Sequence, residues 1–583
     1  MNEVWNLDPI YGGFDASAFE ADVSALKEKI TQFSAFTKKL GDLDVMEGLT
    51  EGIRYQEELF RLANRIGLYA SLRQSANTRD TAASSQMGRF LGIISDVAVP
   101  RAAFKDWAAK IPNLMELVNG DDNLKDYQFL FSKMADSSRY LLPGMGEEIM
   151  ARMELSSGNA WSDLQSYLTS TVKVNYDGGI TNLSTIRNLA YDGDPAVRKA
   201  AYEAEIACYD AIKDSVAFAL NSIKLETISD CKLRGYESPL ARTLNHSDMS
   251  RETLDAMLGA MDEYLPKFWQ YLKAKAKALG HKNGLPWYDL FAPMGCSAQK
   301  YTTEDAKAYL LKQFSTFDQE LTDMVAKAFD EAWIDFYPRD GKTGGAFCAG
   351  VDCLGESRIL TNFDGMFGDV VTLAHELGHA FHNWCLKEQR TMNRDYSMPV
   401  AETASTFNEC IVMNAAIAVA EKEEKLALIE TQLQDVTQII CDIYSRFCFE
   451  ASVFEKRENE FMNADALCGL MLDAQKKCYG DGLDHDVLHP YMWVCKSHYY
   501  GPTFYNFPYA FGGLFARGLY AQYQKEGDAF VPKYKALLRA TAVSTAEDTA
   551  KVAGIDLTDK NFWRAALQSV ADQIDLFCQL VEE

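Results

Sequence analysis

The chain has 583 residues, of which 48% are hydrophobic and 24% are charged, and its formal net charge at pH 7 is −25. This length provides for several domain-sized cores, and the composition is typical of a globular protein. The acidic excess excludes nonspecific nucleic-acid binding, which depends on lysine and arginine contacts with phosphates. It also argues against adsorption to anionic lipid. We therefore expect neither nucleic acid nor a membrane as a partner.

Cysteine usage indicates a reducing compartment. The thirteen cysteines include no CxxC pair and lie mostly within apolar segments, as in Phe347-Cys348, so we expect buried free thiols and no disulfide framework. The first residues lack the basic and apolar segments of a signal peptide. No uncharged apolar run approaches the ~20 residues that span a bilayer. These features predict a cytoplasmic location.

Helical periodicity dominates the chain and predicts a mostly α fold. Apolar residues that would share one helix face recur at positions 59, 62, 66 and 69, and again at 567, 570, 574 and 577. Such spacing is typical of helices that pack one face into a core. A short β-rich segment is expected at 344–363, just before the motif described below.

Turn signals suggest where the chain divides. Strand-like alternation leads into Asp177-Gly178, a hairpin signal. Asp194-Pro195 then has the pattern of a capping residue followed by proline in the first helical turn. We place a domain boundary close to this point, between an N-terminal helical region, 1–200, and a second region, 201–583.

The sequence HELGH at residues 375–379 carries the clearest chemistry. In a helix, His375 and His379 project from one face, so that two imidazole nitrogens reach a single zinc ion at about 2.0–2.1 Å. Glu376 is placed to reach a metal-activated water and is the expected general base. Three of the eight histidines lie within 375–382. His382, one turn further, is expected beside the ligands and not among them.

A catalytic zinc needs a third protein ligand. In the metzincin pattern a glycine and then a histidine follow the motif, but this chain has His382 and Cys385 at those positions, so we exclude that pattern. A carboxylate from the next helix is the other route. Glu402 and Glu409 are two turns apart on an otherwise apolar segment, where burial without a partner is costly. We predict Glu402 as the third ligand and Glu409 as the acceptor that orients a ligand histidine; the alternative is two exposed glutamates.

These motifs resemble a known family. HELGHAFH at 375–382, followed by ETASTFNE at 402–409, is similar to the oligoendopeptidase F branch of the thimet oligopeptidase family. Segments 5–7, 285–291 and 345–348 resemble that branch as well. The resemblance implies a mostly α-helical protein with two helical subdomains flanking a deep channel and a small β-sheet beside the active-site helix. It also implies one zinc ion per chain, Glu402 as a zinc ligand, and cleavage of short peptides.

The resemblance further implies a group of hydrogen-bond donors on the substrate side. The family's histidine and tyrosines correspond to His498, Tyr505 and Tyr509, whose side chains can donate to the oxyanion that forms when water attacks an amide. Pro508 departs from the family pattern and could alter the backbone at Tyr509. The alternative for this segment is an aromatic-rich core.

A possible substrate strand precedes the motif. Gly345, Ala346 and Phe347 are candidates for an edge strand that pairs with the backbone of a bound peptide, which gives affinity with little sequence demand. An internal strand with no ligand contact is the alternative.

Together these features predict a zinc-dependent endopeptidase that hydrolyses internal bonds of short peptides. Two other functions remain open at this point. A helical zinc carboxypeptidase would use the same ligands, and a catalytically silent, zinc-bearing peptide-binding protein could keep the site without turnover. The intact Glu376 argues against the silent protein, because a binder needs no base there.

Overall fold

The computed structural model describes residues 3–142, 145–295 and 300–582. Helices make up most of this part of the chain, which confirms the mostly α prediction. Buried side chains recur along one face of the long helices, as the apolar periodicity indicated. The N-terminal helices are α1 (Ser17–Thr37), α2 (Val45–Ala76), α3 (Thr81–Ile94), α4 (Ala98–Ala109), α5 (Leu114–Asn119), α6 (Gln128–Ser138), α7 (Gly146–Glu154) and α8 (Gly158–Thr171).

A hairpin follows α8, as predicted. Strands β1 (Lys173–Tyr176) and β2 (Gly179–Asn182) pair antiparallel. Asp177 and Gly178 connect them with positive φ values of 49° and 71°, the backbone that a tight two-residue hairpin turn requires and that glycine adopts readily.

Helices resume after the hairpin. The next one begins at Pro195, and the Asp194 side chain caps it by accepting a hydrogen bond from the backbone N–H of Ala196. These helices are α9 (Leu183–Asn188), α10 (Pro195–Cys208), α11 (Lys213–Arg234), α12 (Pro239–His246), α13 (Arg251–Ala278), α14 (Thr303–Phe314) and α15 (Gln319–Asp330).

A small three-stranded sheet comes next. Strands β3 (Ile334–Asp335), β4 (Phe347–Val351) and β5 (Glu356–Leu360) lie in the order β3-β5-β4, with β3 parallel and β4 antiparallel to β5. Strand β4 is therefore at one edge of the sheet.

The last part of the chain is helical again and includes a π-helical turn at Gln438–Asp442. Helix α16 packs directly on β4 and β5, so a small sheet does lie beside the histidine-bearing helix. The helices are α16 (Phe367–Leu386), α17 (Met398–Ala401), α18 (Thr403–Val419), α19 (Lys422–Thr437), α20 (Ile443–Arg457), α21 (Ala464–Tyr479), α22 (Met492–Cys495), α23 (Phe507–Glu526), α24 (Val531–Ala540), α25 (Ala546–Val552) and α26 (Lys560–Glu582).

Buried side chains form two separate apolar cores. One contains residues from Trp5 to Met134, and the other contains residues from Val172 to Phe577. Val351 and Leu360 of the three-stranded sheet belong to the N-terminal core. The chain thus has two helical regions that meet at this sheet, while the boundary at residue 200 stays a prediction.

Among the described residues, every helix is either too short or too polar to cross a membrane.

Candidate metal centre

Three side chains converge at the middle of α16. The Nε2 atoms of His375 and His379 are 3.2 Å apart, and Glu402 Oε2 lies 3.3 Å from the first and 3.4 Å from the second. Four tetrahedral ligands at zinc bond lengths of 2.0–2.1 Å are separated from one another by about 3.3 Å. The three atoms therefore already have the spacing that a single zinc ion requires.

Local structure explains how Glu402 reaches the histidines. It lies at the junction where α17 ends and α18 begins, and the Ser405 hydroxyl donates a 2.7 Å hydrogen bond to its Oε2 atom. Burial alone would raise the pKa of this carboxyl group. Contacts with His379 and Ser405, together with the charge of His375, instead lower its pKa to about 2. Glu402 is thus held as a carboxylate.

The glycine of the HELGH motif allows α16 and α18 to approach closely. A Cβ atom on Gly378 would lie 2.4 Å from the carbonyl oxygen of Ala404 and 2.5 Å from the Cα atom of Ser405. Both are backbone atoms that cannot move without shifting α18 and, with it, Glu402. Glycine is required here because α18 lies so close, and not because of the backbone conformation of α16.

We expect Gly378→Ala to push α18 away from α16 and to weaken zinc binding by at least about tenfold, with an unfolding free energy about 1–3 kcal/mol lower. Zinc affinity by competition with a chelator and thermal unfolding of the apoprotein measure the two effects. Gly368→Ala is the matched control, since a Cβ atom there meets nothing within 4 Å. Equal zinc affinity in both variants would contradict the packing argument.

Glu409 orients the first histidine. Its Oε1 atom lies 2.5 Å from His375 Nδ1, so that Nδ1 donates and Nε2 is left free to bind a metal. Burial opposes protonation of His375, but the carboxylates of Glu409, Glu402 and Glu376 raise its pKa to about 9, so a metal that binds Nε2 displaces a proton from it. Sequence reasoning assigned Glu409 this contact, and the structure brings the two side chains together.

Glu376 lies beside the ligand group and is not part of it. Its side chain is 5% exposed. Burial raises its pKa, the nearby carboxylates of Glu402 and Glu409 add to this, and the two histidines oppose it. A carboxyl group with a raised pKa holds a proton more firmly once it has accepted one, as a general base that later acts as an acid must do.

His382 points into the core. Its Nε2 atom is 2.8 Å from the Thr541 hydroxyl, and its ring stacks on Tyr396 with the ring centroids 4.1 Å apart. Burial lowers its pKa to about 3, assisted by the nearby His379. This neutral imidazole contributes to packing behind α16, and a role beside the ligands stays a prediction.

The predicted donors form one aromatic cluster. Ring centroids are 5.5 Å apart for His498 and Tyr505, 5.7 Å for His498 and Tyr509, and 5.5 Å for the two tyrosines. Burial and hydrogen bonding to Tyr505 raise the pKa of Tyr509, so its hydroxyl stays protonated. All three side chains are partly exposed and can meet a ligand.

Helix α23 carries Tyr509 and passes close to Glu402. Pro508 lies in its first turn, where no backbone N–H is needed, so the departure from the family pattern leaves the helix intact. Tyr509 follows in the same turn. One turn further, the position of a Cβ on Gly512 lies only 3.1 Å from the Glu402 Cβ atom.

Sequence reasoning missed a row of buried charges on the neighbouring helix. Asp442, Arg446 and Glu450 are four residues apart along the π-turn and α20. Their side chains contact Lys224, His498, Phe504 and Asn506. In the sequence, three charged residues at a spacing of four within an otherwise apolar segment could have indicated this buried row.

Glu450 holds the turn that carries Tyr505. It accepts hydrogen bonds from the Phe504 backbone N–H (3.1 Å) and the Asn506 side chain (2.8 Å). Lys224 compensates its charge at 2.6 Å, and both partners are fully buried. Phe504 has a φ of 52°, a conformation that costs a bulky residue energy and that these contacts offset.

Of the three residues predicted as a substrate strand, only Phe347 lies in β4, an edge strand of the sheet. Phe347 begins β4, whose ladder partner is β5, and its side chain packs against Trp5 in the N-terminal core. Gly345 and Ala346 precede the strand, and the Gly345 carbonyl accepts a 2.8 Å hydrogen bond from the Asn362 side chain. Pairing with a substrate backbone stays a prediction.

Known proteins are similar to this chain in sequence. The model of peptidase family M3 matches residues 188–569. Oligopeptidase PepF of Bacillus subtilis (strain 168) is 25% identical over 586 residues, which cover 98% of this chain and 86% of that protein.

Solved structures of other proteins have a similar fold. A Chlamydophila abortus protein superposes with a TM-score of 0.87 at 20% identity, covering 99% of this chain and 98% of that one. Oligoendopeptidase-F from Enterococcus faecium superposes with a TM-score of 0.72 at 18% identity, covering 97% and 99%. The resemblance drawn from the sequence motifs is confirmed, and because the family model spans more than half of its length, this chain belongs to peptidase family M3.

Proposed function

We propose that this protein is a zinc-dependent endopeptidase that hydrolyses internal bonds of short peptides, with one zinc ion per chain held by His375, His379 and Glu402. The observation that carries the proposal is the triangle of ligand atoms with sides of 3.2, 3.3 and 3.4 Å, which fits tetrahedral zinc. Membership of peptidase family M3 supports the same chemistry.

Glu376 supplies the proton transfers. When bound, zinc polarises the scissile carbonyl and lowers the pKa of a water molecule to about 7. Glu376 accepts the proton of that water as it attacks, and then delivers it to the departing amine. Its buried position and raised pKa suit both transfers.

His498, Tyr505 and Tyr509 act as donors to the oxyanion. Each side chain carries a hydrogen-bond donor, and each ring is partly exposed within one cluster. Preorganised donors of this kind stabilise charge that develops only in the transition state, so they raise kcat more than they tighten substrate binding.

The substrate is a short peptide that lies along the edge of β4. Backbone pairing there demands little of the peptide sequence and suits a peptidase of broad specificity. The described cysteines are free thiols, which fits the proposed cytoplasmic location.

Chelator treatment and metal return test the function. We expect cleavage of an internally quenched peptide to fall by at least about 100-fold after zinc removal and to recover on addition of one equivalent of zinc, because the metal supplies both carbonyl polarisation and water activation. Mass spectrometry of the products accompanies the assay.

The products discriminate between the alternatives. Internal cleavage of peptides blocked at both ends supports an endopeptidase. Release of single C-terminal residues, lost when the C-terminus is blocked, would indicate a carboxypeptidase. Stoichiometric zinc and bound peptide without any cleavage would overturn the proposal in favour of a silent binder.

A further inference from the structure

His498 receives a hydrogen bond that decides where its proton lies. Arg446 Nη1 is 3.0 Å from His498 Nδ1. A guanidinium carries only donors and stays protonated in proteins, so Nδ1 must accept. A neutral imidazole that accepts through Nδ1 carries its proton on Nε2. The contact therefore selects the tautomer whose Nε2–H can donate to a ligand.

Arg446 is itself held in place by a residue of the π-helical turn that precedes α20. Its Nη2 atom forms a close ion pair with the Asp442 carboxylate one turn earlier. Arg446 is 8% exposed and Asp442 is 3% exposed, so the pair is shielded from solvent and its geometry is well defined. Asp442 also lines a cavity of about 300 Å³ together with Lys496.

The surroundings of His498 keep it neutral. The charged and titratable groups around it are Arg446, Asp442, Lys496, Tyr505 and Tyr509. Burial lowers the pKa of His498, the two cations lower it further, and Asp442 opposes them. At neutral pH the ring therefore carries a single proton, and Nε2 can donate only if that proton is on Nε2.

We propose that Arg446, held by Asp442, is a positioning residue that fixes His498 as the Nε2–H tautomer and so makes it a permanent donor to the oxyanion. This inference rests on the proposed function. It extends that function by identifying Nε2 as the donor atom of His498. It also gives the buried Arg446–Asp442 pair a role in positioning that donor.

The tautomer can be measured without any turnover. In zinc-loaded protein labelled with ¹⁵N-histidine, ring nitrogen chemical shifts report which nitrogen carries the proton. The signal of His498 is the one lost in His498→Gln. We expect Nε2–H in the wild type and a mixture of tautomers in the double variant Asp442→Asn/Arg446→Met. That variant removes both charges together and so avoids leaving an unpaired buried carboxylate.

Activity gives a second, independent readout. In the double variant, kcat should fall at pH 8 by about twofold or more, with the roughly 100-fold cost of losing a donor as the upper limit. Without the Arg446 charge, the pKa of His498 rises toward its ordinary value of about 6.5. Below that pKa an imidazolium carries protons on both nitrogens, so the Nε2 donor returns. The ratio of variant to wild-type kcat should therefore rise as pH falls from 8 to 5.5.

A second buried pair provides the matched control. Arg198 and Asp289 are joined at 2.8 Å and are 3% and 1% exposed. Arg198→Met with Asp289→Asn should leave the His498 tautomer unchanged and give a kcat ratio that is independent of pH. A wild-type His498 protonated on Nδ1, or a pH-independent ratio in the Asp442→Asn/Arg446→Met variant, would overturn the inference. Absence of peptide cleavage by the wild type would instead overturn the proposed function, while the nitrogen shifts still test the tautomer.

Discussion

Glu376→Gln is expected to lower kcat by about 10²–10⁴-fold, the usual contribution of general acid–base catalysis, while leaving zinc binding unchanged. Glutamine keeps the size of the side chain but cannot accept a proton from water at neutral pH. The proposed metal ligands are His375, His379 and Glu402, so Glu376→Gln changes none of them. Steady-state kinetics on a quenched peptide, with zinc content measured on the same sample, separate the two effects.

Glu388→Gln is the appropriate control for this change. Glu388 follows α16 and is exposed, so the same substitution there alters neither the site nor the core. We expect wild-type kcat in the control. If Glu376→Gln retained more than a tenth of the wild-type kcat at full zinc occupancy, the assignment of Glu376 as general base would be wrong.

The second large effect is expected for Tyr505→Phe, with kcat reduced by about 100-fold or more and KM changed much less. Removal of one hydroxyl takes away a donor that acts mainly on the transition state. The aromatic contacts of Tyr505 with His498 and Tyr509 are retained by phenylalanine, so the cluster should keep its shape. Determination of kcat and KM separately on one peptide tests this.

Tyr523→Phe removes a hydroxyl outside the proposed cluster. Tyr523 lies near the end of α23, the helix that carries Tyr509, and its hydroxyl donates to the carbonyl of Thr316. Its loss should leave kcat unchanged. An unchanged kcat in Tyr505→Phe would remove Tyr505 from the proposed mechanism and leave the donor role to His498 and Tyr509.

The two histidines of the proposed metal site could be predicted from the sequence because they are only four residues apart. His375 and His379 meet through helical spacing alone. Glu402 was predictable because a carboxylate in an apolar segment needs a partner. Its exact position was not, since it depends on the approach of α18 at Gly378, where backbone atoms lie within 2.4 Å of a would-be Cβ atom.

The residues that support the cluster of His498, Tyr505 and Tyr509 could not be predicted from the sequence, for a different reason. Arg446 and His498 are 52 residues apart, and only the packing of α20 against its neighbours brings them together. Glu450 reaches the turn at Phe504 across 54 residues. Periodicity indicates which face of a helix is buried but not which groups meet it. His382 illustrates the same limit, because its partner Thr541 lies 159 residues away.

The alternation of side chains along β4 has a consequence for the modularity of this protein. Phe347 and Val351 contribute to the N-terminal core, while Cys348, between them, contacts the core that surrounds α16. One short strand thus contributes side chains to both cores. If either region were removed, one face of β4 would be exposed. The two regions should melt as one cooperative unit. An excised C-terminal fragment would keep β4 but expose the face that packs against the N-terminal core, so we expect that fragment to be less stable than the whole chain.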